Sequence, residues 1–262
     1  MELTNETYFS PEMELEYMST SQFKAFQKCE AMALAKVIGK YKEEEKEAFK
    51  EGKYFEACIC GDEDLFQAKN PEMYSSKGKT KGDLKANYKK VVGALEAFRR
   101  QPLFMEIVDK CEKQVIVTGV IGGVKFKGCI DFLDPETLDG YDSKYVADFK
   151  KTYSELDKRY MDWYYAYQYQ TQMALYMELV KQSYGRTGSH RLMSVTKESV
   201  PDVVLIEFSE NILVDEIETV ELLAPRYDAI KKGEREPEYC GHCNYCKSVK
   251  IISVPTFVFE VR

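Results

Sequence analysis

The sequence predicts an α/β protein with a mixed central sheet flanked by helices and a cysteine-rich loop near the C-terminus. Strand-like alternation concentrates in the middle of the chain, helical periodicity lies before and after it, and three cysteines at even spacing follow the last helical stretch. With 262 residues and 44% hydrophobic content, the chain is long enough to bury a substantial core. No Pro/Ser/Gly-rich linker divides it. A single domain over 1–262 is therefore expected, with a helical part at 19–110, a core at 111–210, and a C-terminal helix and cysteine cluster at 211–262.

The elements follow from local pattern. Ser19-Thr-Ser-Gln22 matches a capping box and opens a helix in which Phe26, Cys29, Ala33 and Val37 recur at helical spacing. A second helix contains 52–60 and carries Glu56. A third covers about 83–100, with Leu84, Tyr88, Val91, Leu95 and Phe98 on one face, and Pro102 marks its exit. Strands are expected near 115–119, 124–132 and 144–150, the first two joined by a turn at Gly122-Gly123. A long helix over about 158–184 is next, then strands near 192–196 and 203–208. The last helical stretch, 214–232, contains Pro225, which predicts a kink or break.

A net charge of −7 argues against indiscriminate DNA binding by the whole surface. Lys77, Lys79, Lys81, Lys85, Lys89 and Lys90 form the densest basic stretch, readable as a solvated loop and helix face or as a local phosphate track. No run is long enough to span a bilayer, and the N-terminus is acidic where a signal peptide would be basic, so a cytoplasmic protein without membrane partners is expected. In a reducing compartment eight cysteines are not a disulfide framework. Cys58, Cys60, Cys111 and Cys129 fit packing positions.

In an extended strand, residues two apart share a face. Asp148 and Lys150 should thus project together while Ala147 and Phe149 turn to the core. The preceding strand alternates Val124, Phe126, Gly128, Ile130 and Phe132 with Lys125, Lys127, Cys129 and Asp131, which places Asp131 on a polar face. Two carboxylates and a lysine suit a hard cation that activates water against a phosphate.

The ordered set Asp131, Asp148-Phe149-Lys150 and Gln172-Met-Ala-Leu-Tyr176 resembles the PD-(D/E)XK nuclease superfamily, in its RecB-type branch with the Gln-x-x-x-Tyr motif. Gly52-Lys53-Tyr54-Phe55-Glu56 and Cys240-Gly-His-Cys-Asn-Tyr-Cys246 resemble phage and prophage RecE-like exodeoxyribonucleases. The resemblance covers about 19–250. It implies a restriction-endonuclease-like core in which Mg²⁺ or Mn²⁺ is held by Asp131, Asp148 and the main-chain carbonyl of Phe149. Lys150 would orient or help deprotonate the attacking water, and Gln172 and Tyr176 would hold the site and the DNA backbone. Lys151 and Thr152, directly after the motif, are candidate phosphate contacts. Glu56 stands where RecB-type relatives carry a metal-binding histidine, and reads as an acidic substitute or as an exposed helix residue.

Cys240, Cys243 and Cys246, set among the turn formers Pro237, Gly241 and Asn244, point to a bound metal or cluster. With His242 or Cys29 as fourth ligand the site could hold zinc. One early and three late cysteines are also similar to the iron-sulfur staple of AddB-type and CRISPR-associated nucleases, a resemblance that makes Cys29 the fourth ligand, although the last gap is shorter here. The expectation is an Mg²⁺-dependent exodeoxyribonuclease acting on linear duplex DNA from an end, and the RecE-like resemblance further implies a ring-shaped homo-oligomer with a single-strand annealing recombinase as partner. A helicase-associated or CRISPR-type nuclease, and a catalytically silent cysteine-stapled DNA-binding module, are the alternatives.

Overall fold

The computed structural model describes residues 2–251. Ser10 accepts the Met13 N–H and Pro11 occupies the first turn of α1 (Pro11–Glu16). After β1 (Met18–Ser19), the Ser19 hydroxyl accepts the Gln22 N–H at 3.3 Å and opens α2 (Thr20–Lys28). Cys29, in extended backbone, separates α2 from α3 (Glu30–Val37), so the single first helix of the sequence reading is two. Next come α4 (Glu47–Cys60), α5 (Glu63–Lys69), α6 (Ala86–Arg99) and α7 (Pro102–Lys110). Pro102 begins a helix as well as marking the end of one, because the first turn needs no N–H from it.

The central strands are β2 (Glu112–Ile121), β3 (Val124–Leu133) and β4 (Gly140–Val146). A hairpin of β5 (Thr152–Ser154) and β6 (Arg159–Met161) leads into α8 (Trp163–Ala166) and α9 (Tyr169–Tyr184). The described residues continue through β7 (His190–Thr196), β8 (Val203–Glu207), α10 (Glu210–Lys231) and α11 (Asn244–Ser248).

Three departures from the sequence reading have local causes. The strand expected to reach Lys150 stops at Val146: the Asp148 carboxylate accepts the Lys150 N–H at 2.9 Å, a side-chain turn that takes the backbone out of the sheet and leaves Ala147 exposed. The helix expected from 158 begins at Tyr169, because Gln168 at φ 55 interrupts the helical path and 159–161 pair as a strand. α10 runs through Pro225 without a break. The carbonyl that Pro225 cannot satisfy belongs to Glu221, and Gly122 of the β2–β3 turn lies against it. A Cβ on Gly122 would stand 2.6 Å from that oxygen.

β2 pairs antiparallel along the full length of β3. A strand has two edges, so β1 and β4 share the other one: β1 pairs parallel at Phe126 and Lys127, β4 antiparallel at Phe132 and Leu133. Among the described residues no strand covers this edge between those pairs, which leaves a fork in the sheet. β4 continues parallel to β7, and β7 antiparallel to β8. One apolar core, including Phe26, Phe126, Ile130, Leu179 and Tyr227, joins the sheet to α2, α9 and α10. The other, including Phe55, Tyr88, Phe98, Phe132 and Met193, joins it to α4 and α6. At about 1.5–3 kcal/mol for each fully buried large side chain, these two layers fix what surrounds the fork.

Candidate active site

The fork is where the polar residues gather. Extending the β3–β4 register from Phe132 and Tyr141 sets Asp131 opposite Asp142. Asp131 is 6% exposed, and its Oδ2 accepts the Ser143 N–H at 2.8 Å and the Ser143 hydroxyl at 3.1 Å. Two residues along β4, Lys144 pairs closely with the buried Asp142. Asp142 also accepts Gln172 Nε2 at 2.9 Å, and Gln172 Nε2 lies 3.2 Å from the Tyr176 hydroxyl, one helical turn further along α9. That hydroxyl donates to the Cys129 carbonyl at 2.9 Å, so α9 supplies the partner that a strand would otherwise give this stretch of β3. Gly128 permits the approach, since a Cβ there would lie 3.2 Å from the Tyr176 ring.

Glu56 reaches the site from α4. Its Oε1 accepts Gln114 Nε2 at 2.9 Å, and the same nitrogen is 3.5 Å from Asp131 Oδ1. Gln114 takes φ 54, a left-handed conformation that non-glycine residues seldom adopt and that is often found at working sites. Lys24 of α2 completes the group, with Nζ 3.3 Å from Gln172 Oε1 and 3.2 Å from the Tyr167 carbonyl. Tyr169 faces both ammonium groups, 5.2 Å from Lys24 Nζ and 5.7 Å from Lys144 Nζ. The resulting cleft has a volume of about 520 Å³ and is lined by Glu56, Asp131, Gln172, Tyr176, Lys24 and Lys53, among others.

The electrostatics are those of crowded like charges. Burial, then Asp142 and Glu56, push the Asp131 carboxyl well above its ordinary range. Burial also raises Glu56, with Lys144 opposing and Asp142 adding to the rise. Burial works against charge on Lys144, but Asp142 and Asp131 outweigh it and raise its affinity for a proton. Lys24 moves the other way, down to about 7, through burial and the neighbouring Lys144. Asp131 and Glu56, raised by burial, with the buried Asp142 opposite Asp131, form an oxygen donor set suited to a hard divalent cation.

Of the residues singled out in the sequence, Asp131, Glu56, Gln172 and Tyr176 meet in this cleft. Asp148, Phe149 and Lys150 do not. Lys150 is 77% exposed at its side chain and sits 3.7 Å from Asp148, and among the described residues neither side chain bonds to Glu56, Asp131 or Gln172. Phe149 stacks on Trp163, 5.4 Å between centroids at 25°. The triplet that faces Asp131 is Asp142-Ser143-Lys144. Lys151 and Thr152 lie past the strand end, at the start of the β5–β6 hairpin. The six lysines of the 77–90 stretch are exposed and do not line the cleft.

Sequence reading missed Asp142, Ser143, Lys144, Gln114 and Lys24. Asp142-x-Lys144 has the same spacing as Asp148-x-Lys150, and the missing signal was register. The Asp134 side chain accepts the Glu136 and Thr137 N–H groups at 2.8 and 3.1 Å, and this turn sets residue 142 opposite 131. Lys24 and Gln114 carry no motif that would mark them.

At the other end of α2 the four thiols of Cys29, Cys240, Cys243 and Cys246 lie within 4.8 Å of one another. Cys29 to Cys246 is 3.5 Å, and Cys240 to Cys246 and Cys243 to Cys29 are each 3.8 Å. The Cys243 N–H points at Cys240 Sγ (3.3 Å) and the Cys246 N–H at Cys243 Sγ (3.4 Å), a loop arranged for thiolates. Burial works against ionising Cys240, but the Cys243 and His242 N–H groups bring it down to about 6. His242 Nδ1 is instead 2.8 Å from the Cys240 carbonyl.

The forked mixed sheet, the Asp131/Asp142-x-Lys144 constellation and the Gln172/Tyr176 pair on the covering helix define a protein of the PD-(D/E)XK nuclease class. The chain belongs to the family of the PDDEXK-like domain of unknown function DUF3799, which matches residues 19–249. A solved structure from Eubacterium rectale, titled "Putative exonuclease", is 32% identical, with 97% of this chain and 96% of that chain covered and a TM-score of 0.89. A second structure, SSO0001, is 15% identical over 87% of this chain and 96% of that one, with a TM-score of 0.31, too distant to bear on the fold. No curated protein matches the sequence. No helix among the described residues is long and apolar enough to cross a membrane.

Proposed function

We propose that this protein is a divalent-metal-dependent exodeoxyribonuclease that hydrolyses linear duplex DNA from an end. The observation that carries the reading is the convergence of Glu56, Asp131 and Asp142, from α4, β3 and β4, at the fork: Glu56 and Asp131 line the cleft, and Asp142, paired with Lys144, stands opposite Asp131. Those carboxylates, with the Ser143 carbonyl, would hold Mg²⁺ or Mn²⁺, which when bound acidifies a water and offsets charge on the scissile phosphate. Lys144, ion-paired with Asp142, would orient the attacking water and neutralise phosphate charge. Gln172 fixes Asp142, and Tyr176 fixes the exposed edge of β3. Lys151 and Thr152 contact the DNA backbone beyond the cleft.

Action from an end is supported by the similarity to the Eubacterium rectale protein, itself named an exonuclease, and by the RecE-like sequence resemblance. On the same resemblance the enzyme works as a ring of subunits and feeds a single-strand annealing recombinase. A strictly monomeric mass by light scattering, with processive digestion retained, would remove the ring. A silent DNA-binding module has no use for three desolvated carboxylates around a lysine.

The test is a time course on end-labelled linear duplex beside covalently closed circles, with and without Mg²⁺. Metal-dependent loss of linear DNA alone is expected, and cleavage of the circle would overturn the exonuclease assignment. Asp142→Asn and Lys144→Ala should each reduce turnover by about a hundredfold or more, whereas Asp148→Asn and Lys150→Ala should stay within about threefold of the parent. The opposite ranking would relocate the site to the Asp148 triplet.

For the four cysteines we propose a structural zinc ion. Zn–S bonds of about 2.3 Å around a tetrahedral centre separate the sulfurs by about 3.8 Å, which matches the 3.5 and 3.8 Å contacts. A four-iron cube would spread the same thiols further apart.

A further inference from the structure

The β5–β6 hairpin is joined to the site without being part of it. Its strands pair with each other and with no other strand among the described residues. Tyr153 and Tyr160 stand directly opposite in the register, hence on one face, with ring centroids 5.4 Å apart. That face looks outward: Tyr160 is 71% exposed and Tyr153 41%. Among the described residues neither hydroxyl has a hydrogen-bond partner, and neither Lys151 nor Arg159 has an ion-pair partner. Within the hairpin Glu155 pairs with Lys158, and Asp157 accepts the Ser154 hydroxyl, so both acids of the loop are already engaged. What remains free is cationic and aromatic, in a chain of net charge −7.

The hairpin packs against α8, whose Trp163 belongs to an aromatic chain that leads back to the cleft. Trp163 stacks on Phe149, and its ring is 5.7 Å from Tyr169, which faces Lys144 and Lys24. The exposed Tyr167 continues the same series 6.0 Å from Tyr169. At the tip, a cleft of about 470 Å³ separates Glu155, Leu156 and Lys158 from Lys28, His242 and Cys243.

We propose that the β5–β6 hairpin is a stacking platform for a DNA strand with unpaired bases, held by Tyr153 and Tyr160 and by a backbone contact to Lys151, two residues from Tyr153 and so toward the same face. Outward tyrosines and unpaired cations are the pairing that single-stranded nucleic acid recognises, since each base offers a flat face and each linkage a charge. Duplex DNA hides its base faces, so the strand engaged is frayed or tailed. This inference rests on the nuclease reading for its substrate, and the hairpin would hold the end of one strand while the cleft cuts.

The experiment uses full-length protein inactivated by Asp142→Asn, and fluorescence anisotropy with a blunt duplex and with the same duplex carrying a single-stranded tail. Tyr153→Thr with Tyr160→Thr keeps strand-forming residues but removes the rings. It should weaken binding of tailed DNA about tenfold and of blunt DNA less than twofold. Trp163, the only tryptophan in the sequence, lies in α8, the helix that packs against β5 and β6, and so reports the hairpin's integrity. Unchanged Trp163 emission with unchanged affinity for tailed DNA would reduce the tyrosines to a hairpin clasp. Equal losses on both DNAs would overturn the unpaired-strand assignment. Should the double variant shift Trp163 emission, Lys151→Gln decides, since it must lower the salt dependence of tailed-DNA binding and an unaltered slope refutes the platform. Hydrolysis of bis(p-nitrophenyl) phosphate by the otherwise wild-type protein separates the two readings. Hairpin-dependent binding without that hydrolysis would support the platform and sink the nuclease, whereas hydrolysis unaffected by the tyrosine changes is the expected result.

Discussion

Gln114 shows how a single residue can be spent on the site. A left-handed conformation costs on the order of 1–3 kcal/mol for a residue with a side chain, and what it gains is an amide between Glu56 and Asp131. Gln114→Gly should therefore leave stability within about 1 kcal/mol of the parent, while lowering DNA turnover about tenfold. A melting scan and a rate measurement on one preparation check both. His190 works for the fold alone. It is buried against Gly140, where a Cβ would fall 2.2 Å from His190 Nδ1, and burial brings its imidazole down to about 4. The unfolded chain binds that proton near 6.5, so His190 contributes stability above pH 6.5 that is lost as pH falls to about 4, an upper limit of roughly 3 kcal/mol. Urea midpoints should fall over this window in the wild type and less steeply in His190→Gln. A slope unchanged by the substitution would assign the acid sensitivity to other groups. Neither role was legible in the sequence, because a lone Gln and a lone His carry no pattern. Asp131 and the Gln172/Tyr176 pair were legible because alternation and helical spacing mark them.

Between elements, what the sequence lacked was register. Period-two alternation identified β3 correctly, yet it assigns Asp142-x-Lys144 and Asp148-x-Lys150 the same chemistry, and only the β3–β4 turn decides which faces Asp131. The helix breaks at Cys29 and Gln168 were hidden for a related reason: extended or left-handed backbone at one residue does not disturb apolar periodicity on either side. α4, β3 and β4 each place one carboxylate at the fork, so a cation bound there would fasten three elements at once. Mg²⁺ or Mn²⁺ should raise the melting temperature, and more at pH 8 than at pH 6.5, because raised carboxyl groups must lose protons to bind metal. Asp131→Asn should abolish the shift. An equal shift in that variant would mean the ion binds elsewhere. The turn on the far end of β3 is held by shape: Gly122→Ala would set a methyl group against the Glu221 carbonyl at a positive-φ position, and should cost about 1–3 kcal/mol in denaturant melts with the cleft untouched.

Across the whole molecule, the segment after α10 is fastened to the first helices by two independent devices. One is polar: Arg226 reaches Glu30 Oε2 at 2.9 Å and Glu238 Oε1 at 2.7 Å, while the Glu238 N–H reaches Glu30 at 2.8 Å. The other is the thiol group joining Cys29 to Cys240, Cys243 and Cys246. The cysteine spacing could be read directly, whereas the Glu30–Arg226–Glu238 network could not, since charged residues so far apart in sequence give no sign of meeting. A metal closing a loop of that length stabilises by limiting the unfolded chain, up to roughly 5 kcal/mol on the entropic account that applies to crosslinks. Stoichiometric zinc in colourless protein is therefore expected. Its removal by chelation should lower the melting temperature by several degrees and open the chain after Lys231 to proteolysis, while the polar network keeps the rest folded and bis(p-nitrophenyl) phosphate hydrolysis persists. Cys243→Ser with Cys246→Ser should reproduce this without chelator, and Glu30→Gln added to that pair should release the segment entirely. Brown protein containing iron and acid-labile sulfide would replace zinc by a cluster, and an unchanged melting temperature in verified metal-free protein would show that the polar network alone holds the C-terminal segment in place.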